Sequence, residues 1–249
     1  MKAGKNMFKG SIQALLFLLA SSITSSLWAG PFSVNPVRIF MTPKDKAVAV
    51  TITNEGDEEL VMQAELYTWR QKPGGEDELI ITEDLLMSPP IIKLAGKSRQ
   101  VVRLARLIPM KQSEQLAYRM IVREIPEALP NNGTLQLQIA IAFSLPVFIT
   151  PPTAKYQLDC TANKTAPDTI NATCENTGTA YAQLIDFTLA GQAGEKLASR
   201  DTGAYILPTI KRNFDLKSEG NRTIPGGKAS LTVRLDDGSK KTFEVTINE

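Results

Sequence analysis

The stretch LQLQIAIAFSLPVFITPP, residues 135–152, alternates over an unusual length. Leu135, Leu137, Ile139, Ile141, Phe143, Leu145 and Val147 are all apolar, whereas Gln136, Gln138, Ala140, Ala142 and Ser144 between them are small or polar. A period of two belongs to a β-strand, whose successive side chains point to opposite faces. At roughly 3.3 Å per residue, positions 135–149 would extend about 50 Å, against about 17–20 Å for an ordinary strand. Such a strand either bends between two sheets or overhangs its own. If it overhangs, its edge presents backbone donors and acceptors and an apolar face to another chain, which is otherwise an aggregation hazard. If it does not, the odd face fills the domain's own core. Five such side chains moved from water into a partner would contribute about 7–15 kcal/mol before the costs of association.

The same period continues on both sides. FSVNPVRIFMTP, KAVAVTITNEG, ELVMQAELYTWRQ, IIKLAGKSRQVVRLARL and AYRMIVREIP read as strands separated by NEGDEE, KPGGEDE, PMKQSEQ and PEALPNNG. Short strands with turn signals at this spacing predict an all-β sandwich. LIITEDLLMSPP is ambiguous between an extended stretch and a turn. After TPPT at 150–153 the pattern restarts with KYQLDCTA, TINATCENTG, AYAQLIDFTLAG, the AYILP region, KRNFDL, ASLTVRLDDG and KTFEVTIN. Two prolines make the junction stiff. Two sandwiches in series are expected, hinged near Thr150–Thr153.

The chain opens MKAGKNMFKGSIQALLFLLASSITSSLWAG, with Lys2, Lys5 and Lys9 ahead of a short apolar run and an Ala29–Gly30 junction. That is the pattern of a secretory signal peptide, residues 1–29, and its apolar run is about half of what a membrane span needs. Removing 29 of the 249 residues leaves 220, suited to domains over 30–150 and 151–249. Three of the 28 basic residues leave with the leader and none of the 26 acidic ones, giving 25 against 26 and a formal charge of −1. Nothing in that balance points to nucleic acid. Cys160 and Cys174 are the only cysteines, and in an exported chain they suit one disulfide closing a hairpin in an oxidising compartment such as a periplasm.

Histidine is absent, which removes the usual general base and the commonest metal ligand. Two thiols alone do not complete a zinc shell. No phosphate-cradling or dinucleotide-binding glycine pattern and no GxSxG elbow occurs. The cluster Glu76-Asp77-Glu78 reads as a solvated turn beside Gly74-Gly75. The chain is expected not to be an enzyme, and to need no metal, nucleotide or other cofactor.

VREIP (122–126), VVRL (101–104), NPVRIF (35–40), the alternating strand ending in VFITPP, and NTGTAYAQLIDFTL (176–189) together resemble the periplasmic pilus chaperones of chaperone–usher systems, over essentially all of residues 30–249. The resemblance implies two immunoglobulin-like domains in a boomerang arrangement and a role in fimbrium biogenesis. The last strand of the first domain would be lent to a pilus subunit, with Leu137, Ile139 and Ile141, flanked by Leu135 and Phe143, filling the subunit's groove. The short PEALPNNG loop argues against the long-loop subclass. Partners would be pilus subunits and an outer-membrane usher, with self-association through the same edge as another use for it. Family members hold the subunit's C-terminal carboxylate with two basic residues. Arg38 matches the first, but Pro146 stands where the second is usual, and a proline there should break or bulge the pairing. Arg119 is the expected substitute, with Arg123 as its alternative, a departure that resembles the archaic or alternative branch. Arg103 and Glu124 match a salt bridge that helps fix the domain angle, although its third member is replaced by Thr150. The competing function is a two-domain immunoglobulin-like surface protein, structural or adhesive, in which 135–149 is only an internal strand.

Overall fold

The computed structural model describes residues 32–109, 113–126 and 140–248. The leader expected at 1–29 and the donor positions Leu135, Leu137 and Ile139 lie outside the described residues. Within them the chain is all-β, with a single 3-10 turn at Glu219–Asn221, and forms two immunoglobulin-like sandwiches.

In the N-terminal sandwich one sheet runs β1 (Phe32–Asn35), β3 (Ala47–Asn54), β8 (Arg99–Arg106), β6 (Leu85–Ser88). The other runs β2 (Ile39–Met41), β10 (Ala142–Ile149), β9 (Leu116–Glu124), β4 (Leu60–Gln71), β5 (Asp77–Ile81), with β7 (Ile91–Leu94) also paired to β4. The alternating residues of both sheets meet in one core that includes Val50, Ile52, Met62, Val102, Leu104, Met120 and Val147. NPVRIF is therefore a sheet switch. β1 pairs antiparallel with β3 up to Asn35, Pro36 offers no donor to continue that ladder, and β2 resumes beside β10 in the facing sheet.

IIKLAGKSRQVVRLARL, expected as one strand, is two. β7 pairs with β4 and β8 with β3, so the chain changes sheets at Ala95–Ser98. The reason is local: Lys97 takes a φ of 56°, and a Cβ on Gly96 would fall on the backbone carbonyl of Asp57. The ambiguous LIITEDLLMSPP resolves into the end of β5, a turn, and β6.

The C-terminal sandwich is built from β11 (Leu158–Ala166), β12 (Thr169–Asn176), β13 (Ala182–Gly191), β14 (Lys196–Ile206), β15 (Lys211–Lys217), β16 (Gly227–Leu235) and β17 (Lys240–Ile247). Their order is β11-β12-β15-β14-β13-β16-β17, and β14 meets β15 at the single pair Ser199–Lys217. The sheet thus folds over a core of its own, around Ile170, Leu184, Phe187, Phe214 and Leu231. Cys160 and Cys174 face each other across the β11–β12 hairpin and are joined by a disulfide.

The two sandwiches share a device that their sequences spell alike, NEG at 54–56 and NTG at 176–178. Asn54 is 1% exposed and Asn176 is fully buried. The Asn54 amide donates to the carbonyls of Glu58, Leu94 and Ala95 and accepts from the Gly56 N–H. Asn176 donates to Ala180 and Ile206 and accepts from Gly178 and Gln157. Each amide satisfies backbone groups where the strand leaves the sheet, among them the buried carbonyls of Leu94, Ala180 and Ile206. Replacing Asn54 or Asn176 by Ala is expected to lower stability by roughly 3 kcal/mol, since each strands several buried carbonyls. Urea unfolding of each single variant against the parent chain measures it.

Candidate functional site

The site follows from the two edges of β10. Along one edge β10 pairs with β9 without interruption, from Ala142 opposite Arg123 to Ile149 opposite Leu116. Glu124 N–H donates to the Ile141 carbonyl at 3.0 Å, so the odd residues of β10 bond to β9 and the even ones turn their backbone groups to the other edge. Pro146, opposite Arg119, occupies a position where β9 asks nothing of its nitrogen. The break expected there does not occur on the β9 side, for that reason.

The other edge is only partly covered. β2 pairs in parallel with Val147–Ile149, and Thr150 N–H continues to the Met41 carbonyl at 2.9 Å. Among the described residues no strand lies against the edge at Ala142 and Ser144, so the missing donor of Pro146 marks the place where covered edge gives way to open edge. The odd side chains change character in step. Val147 and Ile149 are fully buried and Leu145 nearly so, while Phe143 and Ile141 are half-buried against the same core, Phe143 edge-on to Phe32 at 4.8 Å.

The open edge runs into a cleft of about 610 Å³ between the sandwiches, lined by Val37, Arg38, Arg119, Ser144 and Pro146 on one side and by Gln183, Ile185, Tyr205 and Asp236 among others on the other. Arg38, in the bend between β1 and β2, and Arg119, on β9, thus come from separate elements to one cleft. Arg38 Nη1 donates to Gln183 Oε1 at 2.8 Å and to Asp236 Oδ2 at 2.5 Å. Burial works against its charge, yet the bond to Asp236 and the neighbouring groups hold its pKa above the ordinary value. Arg119 has a side chain only 13% exposed, stacked on Trp69 with the guanidinium carbon 3.7 Å from the ring centroid. Its carboxylate neighbour is Asp77, at 3.6 Å. Burial lowers the Arg119 pKa, opposed by Asp77, but a guanidinium starts so high that it stays charged. Arg123 points elsewhere: it pairs with Glu65 at 2.8 Å and is not part of the cleft lining.

Arg103 and Glu124 do not form an ion pair. Arg103 lies on β8, opposite Ala49 and Ser88, and Glu124 ends β9 in the other sheet, opposite Met62. Besides the Arg38 bonds to Gln183 and Asp236, the domains are joined by two glutamine side chains and an aromatic stack. Gln71, at the end of β4, accepts from Leu207 N–H at 2.9 Å and donates to the Tyr205 carbonyl at 3.1 Å, imitating a rung of a β-ladder across the boundary. Gln115 donates to Thr150 Oγ1 at 2.7 Å and accepts from Tyr181 N–H at 2.8 Å, which ties the connector to the second sandwich. Between them Trp69, Phe148 and Leu207 form a buried cluster with Tyr181 and Tyr205, Phe148 stacking on Tyr181 at 4.0 Å.

Sequence reasoning missed Trp69, Gln71, Asp77, Gln183 and Asp236. The one signal for them was the length of ELVMQAELYTWRQ, whose alternation carries β4 past its own sandwich. Asp77 was read as part of a solvated turn; it begins β5 and stands between Gln71 and Arg119.

Two expectations follow. Replacing Gln71 and Gln115 by Ala together should broaden the distribution of interdomain distances in small-angle scattering, while the disulfide-closed hairpin and both cores stay folded. Tyr181 is pushed up to about 12 from an ordinary value of 10.0 by burial and then by Asp236. A folded pKa above the unfolded one stabilises the neutral phenol, so this contribution is whole below about pH 10 and is lost as the pH rises towards 12. Absorbance titration of the native chain should show tyrosines ionising later than in denaturant, with the interface loosening only in that alkaline window.

Residues 31–155 match a family model described as the pili and flagellar-assembly chaperone, PapD N-terminal domain. Among solved structures, a chain of the CsuC–CsuE chaperone–tip adhesion subunit pre-assembly complex from the archaic chaperone-usher Csu pili of Acinetobacter baumannii superposes with a TM-score of 0.62 at 19% identity, covering 88% of this chain and 99% of that one. The E. coli chaperone DraB gives 0.55 at 19%, covering 87% and 96%. A chain of the Salmonella enterica SafA pilin complex with the SafB chaperone gives 0.56 at 16%, covering 86% and 95%. At these identities the likeness is one of fold. No curated protein sequence matches the chain.

Proposed function

The chain belongs to the pili and flagellar-assembly chaperone family, and from that premise we propose that it captures pilus subunits in the periplasm by strand addition along the open edge of β10. The observation that carries this reading is the course of that edge: backbone groups left without a strand at Ala142 and Ser144 lead into a cleft that holds Arg38 and Arg119. A strand laid along the edge continues the sheet, and its C-terminal carboxylate ends among the two guanidiniums. Charge-assisted bonds from a planar guanidinium are well suited to a carboxylate. The donor segment is residues 135–143, with Leu135, Leu137, Ile139, Ile141 and Phe143 supplying side chains to the subunit. Ile141 and Phe143 serve both partners, being half-buried against their own core.

The protein is exported by cleavage near Ala29, folds as domains over 30–150 and 151–249, and hands subunits to an outer-membrane usher. It works by binding alone, without catalysis. The resemblance of Arg119 to a substitute anchor, and the fold shared with a chain from an archaic system, favour the archaic or alternative branch. Relatives whose structures are described as chaperone–pilin or chaperone–tip subunit complexes support subunits as the partner class.

Co-expression with a candidate subunit and purification from periplasm tests the reading. The double change Ile139→Asp and Ile141→Asp should abolish the complex while both sandwiches still fold; a complex that survives it sinks the donor-strand assignment. Arg119→Ala should weaken capture about 10-fold or more, as loss of a charge-assisted bond does, and Arg123→Ala should do little. The opposite ranking moves the carboxylate site outwards along β9. A chain found on the cell surface would favour the structural or adhesive alternative.

A further inference from the structure

We propose that Asp236, with Gln183, is a positioning residue for the carboxylate site: the second domain orients Arg38 so that capture of a C-terminal carboxylate depends on the domain angle. The inference rests on the strand-addition reading and adds to it a role for the second sandwich. The two residues flank the β13–β16 pairing: Gln183 is on β13, and Asp236 directly follows β16, its N–H donating to the Gln183 carbonyl at 3.1 Å. Neither belongs to the domain that carries Arg38.

The geometry distinguishes holding from blocking. A guanidinium has five N–H donors in a fixed plane, and here both resident bonds are made by one nitrogen, Nη1. Nη2 and Nε take no part in these two bonds, and the Tyr205 hydroxyl is a further neighbour of the guanidinium, so the Nη2–Nε side that would grip a carboxylate with two parallel bonds is not taken by Gln183 or Asp236. Asp236 Oδ2 is itself held, accepting from the Tyr181 hydroxyl at 3.5 Å. Tyr181 stacks on Phe148, and Phe148 belongs to β10. The chain of contacts therefore runs from the strand that receives the subunit, through the interdomain aromatic stack, to the carboxylate that aims Arg38. Arg38 side-chain exposure is 37% and that of Asp236 is 20%, so this pair borders the cleft rather than lying sealed within the interface. An arginine without these partners would spread over many rotamers, and ordering it would cost affinity at the moment of binding.

The test compares two forms of one short synthetic peptide of alternating valine and threonine, one ending in a free carboxylate and one in an amide, titrated into the full mature chain and followed by fluorescence anisotropy. The parent should prefer the free carboxylate. Asp236→Asn and, separately, Gln183→Ala should reduce that preference about 10-fold for the first and less for the second, with Arg38 untouched. Asp236→Glu should restore part of it. A merely structural role would weaken both peptides equally and leave their ratio unchanged, which overturns the proposal. An Asn variant with a raised preference overturns it as well, showing that Asp236 competes for Arg38. Should Asp236→Asn fail to fold, Gln183→Ala carries the same comparison. Equal binding of both peptides by the parent rejects the carboxylate site and this inference with it. Failure of both peptides to bind the parent rejects strand addition itself.

Discussion

A strand in a sheet carries backbone donors and acceptors on both edges, and buried ones must be paired. β10 meets this demand completely on the β9 side and only over Val147–Ile149 on the β2 side. The rest of the molecule is arranged around that imbalance. The sheet switch at Pro36 delivers just enough of the first strand to cover the end of β10 nearest the connector. Pro146, which has no donor to leave unpaired, stands at the limit of that cover. The open part then points along the sheet into the cleft between the domains. A fully covered edge would have nothing to offer a second chain, and a fully open one would expose Val147 and Ile149 and lose the core that anchors the strand.

The cleft is formed by both sandwiches, and the means by which the second is held are mostly uncharged. Gln71 makes one donor and one acceptor bond across the boundary, Gln115 accepts one bond across it from Tyr181 and donates another to Thr150 at the connector, and the aromatic side chains between them are largely removed from water. A buried ion pair in that place would carry a desolvation penalty comparable with its attraction. Charges are kept for the cleft itself, where Arg38 and Arg119 each have one aspartate neighbour and remain partly open to solvent or stacked on a ring. The buried part of the interface thus holds by shape and neutral hydrogen bonds, and its one charged link, Arg38 to Asp236, lies at the cleft.

Several elements were legible because they depend on local pattern. The period of two, the turn residues and the double proline at 151–152 mark strands, hairpins and a division without any knowledge of what they pack against. Cys160 and Cys174 could be paired because the hairpin between them is short and antiparallel. IIKLAGKSRQVVRLARL misled because its apolar spacing continues through a turn, where Lys97 takes a positive φ and Gly96, lacking a Cβ, lets the Asp57 carbonyl approach as the chain passes between the two sheets. Arg103 and Glu124 misled in another way: both residue types were present, but opposite sheets carry them.

The order of residues by itself determined that this protein is all-β in two parts, that residues 135–149 alternate between apolar and small or polar side chains, and that the chain contains no histidine. These are consequences of side-chain alternation and of which functional groups the chain contains. Only the tertiary structure decided which edge of β10 is left open, that Arg119 and not Arg123 lies in the cleft, and that Asp236 and Gln183 reach Arg38 from nearly two hundred and about one hundred and fifty residues away in the chain. Such contacts join residues distant in sequence through the packing of one sandwich on another. No periodicity records them, because the groups that meet lie on different sheets and each looks, in its own strand, like an ordinary polar residue facing water.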